Sequence, residues 1–275
     1  MNPHRPSSIS PIAMAGSLWR HREIVMRLSR REIVSKYKGS FLGITWSIFH
    51  PLLMLTLYTL VFSVVFKARW GGNIEETKTQ FAVTLFAGLM MHGLLAEVLN
   101  RAPSLIIGNV SYVKKIVFPI ELLPAVAVCA ALFHSLINFA VILAAAIFLG
   151  IFHWTALLVP LIMLPLSIGA LGAGWLIASL SVYLRDVGQI VGILSTMLLF
   201  ASPVFYPISA IPEAARFWMT INPLTFAIEQ TRQVLFEKSV PDFGGLFLYT
   251  LGSVVAAWLG YAWFQKTRKG FADVL

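Results

Sequence analysis

Charged residues are scarce in this sequence. Of its 275 residues, 12% are Asp, Glu, Lys or Arg, whereas 58% are hydrophobic. A typical soluble domain carries about 25% charged residues, so this balance excludes an ordinary soluble protein and indicates a membrane protein with several spans. Cysteine is nearly absent as well, and with Cys129 alone no intramolecular disulfide can form. The N-terminal region lacks a basic, apolar and small-residue cleavage pattern, so we expect no secretory signal to be removed.

Motifs for energy coupling and catalysis are also missing. The sequence contains no G-x-x-x-x-G-K-S/T motif, so we expect no P-loop and no nucleotide site in this chain. It has no His and Cys residues at metal-ligand spacing and no G-x-S-x-G, which argues against a metal site, a bound cofactor and an enzyme. Apart from Glu97, and Glu121 at the very start of the third stretch, the acidic, basic and histidine residues within the apolar stretches are His50, His92 and His134.

Those few groups make proton or sodium coupling unlikely to be the energy source, since it needs ionisable residues at membrane depth. Glu97 lies one helical turn before Arg101, and we expect these two to pair. His134 and Asn138 are four residues apart and share a helix face. We expect them to form an interhelical hydrogen-bond pair rather than an ion site.

Long apolar runs predict an all-α polytopic membrane protein with six transmembrane helices. The first, Ile44–Phe66, would be about 34 Å long as a helix, enough to cross a hydrocarbon core of about 30 Å, and Pro51 predicts a kink in it. The segment Gly169–Trp175 (GALGAGW) has small residues that would let another helix approach closely. The six predicted spans are residues 44–66, 81–99, 120–152, 154–184, 187–206 and 243–265.

The segments outside the spans have distinct characters. Residues 1–43 form an N-terminal region that is poorly ordered up to residue 16 and contains a basic amphipathic helix, 17–38, lying in the membrane interface. Residues 100–119 are too polar to cross and predict a structured loop with a short helix. Prolines divide residues 202–238, and we expect two short helices there at the far membrane surface. Residues 266–275 close the chain.

The net charge of +9 fixes the expected orientation. Most of the 21 Lys and Arg residues fall, under a six-span topology, on the side that holds both termini, and none falls inside a span. This excess places both termini in the cytoplasm. Because the basic residues flank apolar spans, orientation and anionic lipid headgroups explain them better than nucleic acid does.

Aromatic side chains are the positive signal for function. An aromatic face can stack on the C–H face of a sugar, so a pore lined with such rings would let a glycan slide without sticking at one site. The alternative is that Trp and Tyr gather at membrane interfaces and Phe faces lipid. The candidate pore residues are Trp46, Phe49, Tyr58, Phe62, Trp175, Tyr183, Phe200 and Tyr206.

The sequence resembles a known family at five places along nearly the whole chain. The segment Lys36–Leu52 (KYKGSFLGITWSIFHPL), which follows the basic helix, is similar to the permease signature of ABC type-2 polysaccharide exporters. The further matches, in chain order, are RAPSLIIGNVSYVKKIVFP (101–119), SVYLRDVGQIV (181–191), SPVFYP (202–207) and INPLT (221–225). The likeness is greatest to permeases that export O-antigen for lipopolysaccharide, with capsule and teichoic-acid exporters as relatives.

This resemblance implies a homodimer in the bacterial inner membrane with a pore at the subunit interface. It implies two copies of a separate ATPase subunit, which would bind ATP and magnesium, and a glycan on undecaprenyl pyrophosphate as the substrate. Residues 17–38 become the interface helix, and the short helices after Pro207 close the periplasmic exit. The implied site residues are Arg27, Arg30 and Arg31 for the pyrophosphate entrance, and Arg101, Ser104, Lys114 and Lys115 for coupling to the ATPase.

Three other functions compete with polysaccharide export. A small-molecule or drug exporter of the same ABC type-2 architecture would differ only in its substrate lining. A membrane-bound glycosyl- or acyltransferase would need an acidic or His-bearing loop, which the sequence does not show. A secondary transporter would need an inverted repeat and a charge at the membrane midplane.

Overall fold

The chain is helical throughout the part that its structure describes. The computed structural model describes residues 9–61, 78–114 and 118–275, and the regular elements within these ranges are helices, which confirms the predicted all-α class. The α-helices are α1 (Pro11–Arg20), α2 (Arg22–Tyr37), α3 (Trp46–Tyr58), α4 (Lys78–Ile107), α5 (Val110–Lys114), α6 (Leu122–Phe148), α7 (Val159–Tyr183), α8 (Val187–Phe200), α9 (Glu213–Ile221), α10 (Pro223–Phe236), α11 (Phe243–Thr267) and α12 (Phe271–Val274).

Within the described residues, five helical stretches are long and apolar enough to cross a membrane, which makes this a multi-pass membrane protein. They are Gly43–Val61, Phe81–Ile107, Leu122–Phe148, Trp154–Tyr183 and Phe243–Val274. The predicted span 187–206 contains only α8, whose 14 residues extend about 21 Å. That is shorter than a hydrocarbon core of about 30 Å, so the count of six stays a prediction. Residues 62–66 of the first predicted span lie outside the described residues.

Helix α4 is the centre of the bundle. It packs against α6, α7, α8 and α10, and nearly every side chain of its first half is buried. The tightest helix pair is α7 with α11. A Cβ atom built on Gly172 would lie 2.6 Å from both Ala257 Cα and Ala256 O, so the two backbones are in direct contact there. The predicted close approach at the GALGAGW segment is therefore confirmed, with α11 as the partner.

The N-terminal region differs from the prediction in two ways. The prediction of poor order up to residue 16 is wrong for residues 11–16, because Ser10 caps a helix that begins with Pro11 and accepts a hydrogen bond from Ala13 N at 3.1 Å. The single helix predicted over 17–38 is in fact two helices, since the chain breaks at His21 between α1 and α2. Pro51 lies inside α3, as predicted.

Helix α2 lies against the bundle. Val25 packs in a small cluster with Leu122, Ala125 and Val126 of α6, and the Ser29 hydroxyl contacts Val126 O at 3.5 Å. The terminal segments meet at the same end of the molecule, where Trp258 donates to Ile9 O at 2.9 Å. We call this the terminal end, made of α1, α2, the start of α6 and residues 268–275, and the opposite end the far end.

The two connections after the second and fifth predicted spans also differ in detail. Helix α4 continues to Ile107, so Asn100–Ile107 is helix where a loop was predicted, while the predicted short helix is present as α5. The two short helices predicted within 202–238 are α9 and α10. Helix α10 is also part of the bundle: its residues Leu224, Ala227, Ile228, Thr231 and Val234 are buried, because α10 packs on α4 and α7. The position of both helices at the far membrane surface stays a prediction.

Candidate functional site

Two adjoining cavities open at the terminal end, where α2 meets α3, α4 and α6. Their volumes are about 630 and 520 Å³, and they share Lys36, Glu97 and His134 as a common wall. The first is otherwise lined by α2 and α4 residues such as Glu32 and Arg101. The remaining lining of the second is mostly polar or aromatic: Tyr37, Ser40, Trp46, Ser47, His50, Pro51 and Asn138.

Glu97 is the hub of this wall. His134 Nδ1 donates to its carboxylate at 2.8 Å, and Lys36 Nζ approaches the same oxygen at 3.5 Å. The expected pairing of Glu97 with Arg101 is therefore wrong, because both side chains point toward neighbouring helices. The partner expected for His134 is also wrong: its hydrogen bond crosses from α6 to Glu97 on α4, while Asn138 lines the second cavity. The hydrogen bond is interhelical, as predicted, but the pair is a different one.

Arg101 pairs with Glu32 of α2, which places it at the contact between α2 and α4. Of the other predicted coupling residues, Ser104 is exposed on the last turns of α4 and Lys114 is exposed at the end of α5. Lys115 lies outside the described residues. Arg31 Nη2 donates to Tyr112 Oη at 3.3 Å, so α2 also contacts α5. The predicted coupling residues thus cluster with α2 at the terminal end.

The three arginines predicted at a pyrophosphate entrance do not converge on either cavity. Arg27, Arg30 and Arg31 are all exposed on α2. Arg27 Nη2 is 3.8 Å from Glu23 Oε2 on the same helix. The cations that do line the cavities are Lys36 and Arg101.

The predicted pore aromatics fall into two groups. Trp46, Phe49 and Phe200 are exposed by 39%, 48% and 61%, and Tyr58 and Tyr206 are half-buried. Phe200 stacks on Phe205 with ring centres 5.6 Å apart, and the Tyr206 hydroxyl donates to Phe200 O. Phe200, Phe205 and Tyr206 thus gather at the far end of α8. Phe62 lies outside the described residues.

Trp175 is held inside the subunit, whereas Tyr183 is exposed but tied to the subunit by its hydroxyl. Trp175 is completely buried, its ring centre is 5.2 Å from that of Tyr261, and its indole N–H donates to Glu121 O at 2.8 Å. The Tyr183 hydroxyl donates to Thr267 O at 2.7 Å, which attaches the end of α7 to the C-terminal segment. Trp175 therefore contributes nothing to an exposed aromatic face.

A buried ion pair at the terminal end was not predicted. Arg268 Nη1 donates to Glu121 Oε2 at 3.0 Å, and both residues are less than a tenth exposed. Ser17 Oγ lies 3.3 Å from the other carboxylate oxygen. Glu121 thus joins α1, the start of α6 and the C-terminal segment. The only signal for this pair in the sequence is weak: an acidic residue directly before an apolar run.

At the far end, Arg232 of α10 is buried between α4 and the end of α8. It donates to Pro203 O and, at 2.8 Å, to Val204 O, and Glu229 Oε1 lies 3.4 Å away. Burial lowers the pKa of Arg232 to about 10 and raises that of Glu229, although each partner's charge opposes the shift of the other. Arg232, predicted only to lie outside the spans, is therefore buried within the bundle.

Two of the matched sequence motifs meet at this end. Asn222 of INPLT donates to Ala201 O at 3.0 Å and to Ser202 Oγ of SPVFYP at 2.8 Å. The same side chain caps α10 by accepting from Leu224 N at 3.0 Å. A Cβ on Gly88 would lie 2.9 Å from Arg232 Nη2 and 3.3 Å from Val204 Cα, so glycine leaves room for this contact. The end of α8 is thus fastened to α4 and α10.

Comparison with known proteins decides the family. The sequence profile of ABC-2 type transporters matches residues 24–236, most of the chain. The chain belongs to the ABC-2 type transporter family. This match includes α2, α3, the α4–α5 segment and the far-end helices.

The relatives of this ABC-2 chain include proteins of polysaccharide export. It is 29% identical over 269 residues to the O-antigen export system permease protein RfbA of Myxococcus xanthus, covering 95% of this chain and 99% of that protein. It is 24% identical over 258 residues to RfbA of Klebsiella pneumoniae, covering 92% and 95%. The capsule polysaccharide export inner-membrane protein CtrC of Neisseria meningitidis serogroup B is 25% identical over 262 residues, covering 92% and 94%.

The site offers binding and conformational chemistry. Among the described residues, no group of three or more His, Cys, Asp and Glu side chains is arranged to hold a metal ion. Six charged residues at the terminal end are engaged in contacts between helices, and the exposed aromatics lie on α3 and at the end of α8. The six are Glu32, Lys36, Glu97, Arg101, Glu121 and Arg268.

Proposed function

We propose that this chain is the permease subunit of an ATP-driven exporter that moves a lipid-linked polysaccharide of the O-antigen type from the cytoplasm to the periplasm. The observation that carries the proposal is the similarity, over nearly the whole of both chains, to permeases named for O-antigen export. The proposed substrate carries undecaprenyl pyrophosphate at its reducing end. The protein would lie in the bacterial inner membrane with both termini in the cytoplasm.

The proposed pore lies between two copies of the subunit. Helix α3 buries only Ser47 and Pro51 within the subunit, and α8 buries only Val187, Val191 and Ser195. The exposed residues of α8 are mostly apolar, with Gln189, Thr196 and Phe200 among them at helical spacing. Such a face suits contact with a second copy of the subunit, and its two polar residues would face the lumen of a homodimer. Aromatic rings on α3 and α8 would support a sliding glycan.

Energy would come from a partner. Because the sequence has no nucleotide-binding motif, we propose two copies of a separate ATPase subunit that bind ATP and magnesium. The exposed Ser104 and Lys114, with α2 beside them, form the proposed docking surface at the terminal end. Phosphates of the lipid carrier would meet the cations of α2 and the cavity wall before the glycan enters the pore.

A second candidate substrate is capsule polysaccharide, which the similarity to CtrC supports. The O-antigen type is preferred because RfbA of Myxococcus xanthus is 29% identical over 95% of this chain, against 25% over 92% for CtrC. A drug or other small molecule has no observation in its favour beyond the shared architecture. Analysis of the surface polymers of a deletion strain separates O-antigen, capsule polysaccharide and a small molecule as substrates.

The test uses a strain that lacks this gene. We expect loss of surface polysaccharide and accumulation of lipid-linked polymer in the inner membrane, with recovery on expression of the wild-type protein. A variant with residues 101–114 replaced by a neutral linker should not recover display. Labelled polymer in the O-antigen or the capsule fraction identifies the substrate. Normal amounts of both at the surface of the deletion strain would overturn the proposal.

A further inference from the structure

Two ion pairs join α2 to α4 in a regular pattern. Glu32 pairs with Arg101, and Lys36 Nζ is 3.5 Å from Glu97 Oε1. On each helix the two charged residues are four positions apart, so they stand on one face. From the first pair to the second, the residue number rises from 32 to 36 on α2 and falls from 101 to 97 on α4. The two helices therefore run antiparallel at this contact. Each helix presents an acid and then a base, and the antiparallel arrangement matches opposite charges at both pairs.

This pattern admits one register. Moving α2 by one turn, about 5.4 Å, would place Glu32 opposite Glu97 in one direction, or Lys36 opposite Arg101 in the other. In either case the other charged residue of α2 would face an uncharged position of α4, Gly93 or Leu105. Each shift therefore exchanges two attractive contacts for one repulsive contact, and like charges opposed across a contact are strongly unfavourable.

Three of the four charged side chains are mostly shielded from solvent, although all four line the first cavity. The side chains of Glu32 and Glu97 are 22% and 21% exposed, and those of Arg101 and Lys36 are 34% and 54% exposed. His134 of α6 fixes the Glu97 carboxylate through a hydrogen bond at 2.8 Å. Arg31 adds a third link, from α2 to Tyr112 of α5. The charged residues thus connect α2 with the whole segment 97–114.

We propose that Glu32, Lys36, Glu97 and Arg101 are positioning residues that fix the register of α2 on α4, so that α2 and residues 101–114 move as one unit. One consequence of this inference rests on the proposed function: if an ATPase displaces residues 101–114, it also displaces α2 and the cavity wall. The register itself requires no assumption about the substrate.

A disulfide between α2 and α6 can report this register, because α4 packs on α6. Cys129 of α6 is the only cysteine of the chain and packs against the cluster of Val25, and Ser29, one turn after Val25 on α2, contacts Val126 O of α6 at 3.5 Å. The variant Ser29→Cys therefore creates one cysteine pair between α2 and α6. The full-length protein is purified with its ATPase partner and oxidised under mild conditions, and the intramolecular disulfide is quantified by mass spectrometry. A shift of one turn would carry the two sulfurs out of bonding range.

Charge reversal and charge exchange are compared in this background. Arg101→Glu should lower the disulfide yield at least threefold, because the introduced carboxylate repels Glu32. Glu32→Arg combined with Arg101→Glu restores both opposite-charge contacts, so yield and polysaccharide export should both return to near the starting values. Arg30→Glu is the matched control, since Arg30 is an exposed cation of α2, and it should leave the yield unchanged.

Two results would overturn the inference: an unchanged yield in Arg101→Glu, or a yield that the charge exchange does not restore. If Arg101→Glu fails to fold, Arg101→Gln removes one pair without adding repulsion, and an intermediate yield is expected; a yield equal to the starting value there would also overturn it. Because disulfide formation needs no transported substrate, failure of the register lock and failure of the proposed export function give different results.

Discussion

Arg268 near the C-terminus donates a hydrogen bond to Glu121 at the start of α6 across 3.0 Å, and both side chains are buried. The pair closes the terminal end, since the same carboxylate contacts Ser17 and the Glu121 carbonyl accepts from Trp175. A charge buried in this way is costly unless its partner is present.

We therefore expect Arg268→Ala to destabilise the protein by about 3–5 kcal/mol, because Glu121 would keep a buried charge without its cation. The measurement is thermal unfolding of the purified protein in detergent. Lys269→Ala is the matched control, since that neighbouring cation is exposed. Equal unfolding midpoints for the two variants would contradict the structural role of this pair.

The α7–α11 contact gives a second prediction. Gly172→Ala should cost about 1–3 kcal/mol through overpacking, because its Cβ would lie 2.6 Å from Ala257 Cα. Gly252→Ala on α11 is the control, since no atom lies within 4 Å of a Cβ there. Unfolding curves measured side by side should separate the two; a Gly172 variant as stable as the Gly252 variant would show that the helices are not in backbone contact.

The aromatic path predicts a transport defect without a stability defect. Phe200→Ala should slow polysaccharide export severalfold while leaving the unfolding midpoint near that of the wild type, because its ring is 61% exposed at the end of α8. Phe247→Ala on α11 is the control, with a ring 68% exposed. Surface polymer is measured after induction in cells.

Trp175→Ala should instead show a stability defect, and not one that arises from the transport path. Its side chain is fully buried, so truncation leaves a cavity and costs about 3–5 kcal/mol.

If Phe200→Ala exports at the wild-type rate while Phe247→Ala does not, the assignment of the α8 aromatics to the path is wrong.

The far end predicts a dependence on pH. Burial raises the pKa of Glu229 above its ordinary value, so the folded state holds a proton that the unfolded state releases. The contribution of this carboxyl to stability is therefore full below about pH 4.5 and is lost as the pH rises through the folded-state pKa. We expect Glu229→Gln to flatten the fall in unfolding midpoint between pH 4 and pH 7.

Glu213→Gln on the neighbouring helix α9 serves as the control, because it removes an exposed carboxyl. A wild-type slope that persists in Glu229→Gln would show that another group causes it.

The sequence was sufficient for the helices that lipid selects. Uninterrupted apolar runs place α6, α7 and α11 within about five residues of their observed ends, because a membrane requires every backbone group to be satisfied within the helix. The start of α3 is placed equally well, whereas its predicted end lies outside the described residues. The broken helices α9 and α10 followed from proline positions. The prediction was weaker where a helix leaves the apolar region. Helix α4 continues through residues 100–107, whose polar side chains make the segment too polar to be recognised as part of a span by hydropathy.

The partners of charged residues could not be predicted locally. Glu97 and Arg101 stand one turn apart, which is the spacing of an ordinary helix pair worth about 0.2–0.5 kcal/mol. Each instead reaches α2, where Glu32 and Lys36 have the same spacing. Both spacings are visible in the sequence, but the antiparallel docking of the two helices depends on Val25 packing against α6. The same limitation hid the partners of Arg232 and Arg268.

The most direct test of the export proposal is ATP-dependent movement of the polymer. Inside-out inner-membrane vesicles carrying the permease, its ATPase partner and radiolabelled undecaprenyl-pyrophosphate-linked glycan are treated with a glycosidase before and after ATP is added. The proposal predicts that ATP protects the glycan from digestion, because export carries it into the vesicle lumen, and that vesicles without the permease show no protection. Glycan that stays fully digestible after ATP hydrolysis by the assembled complex would contradict it.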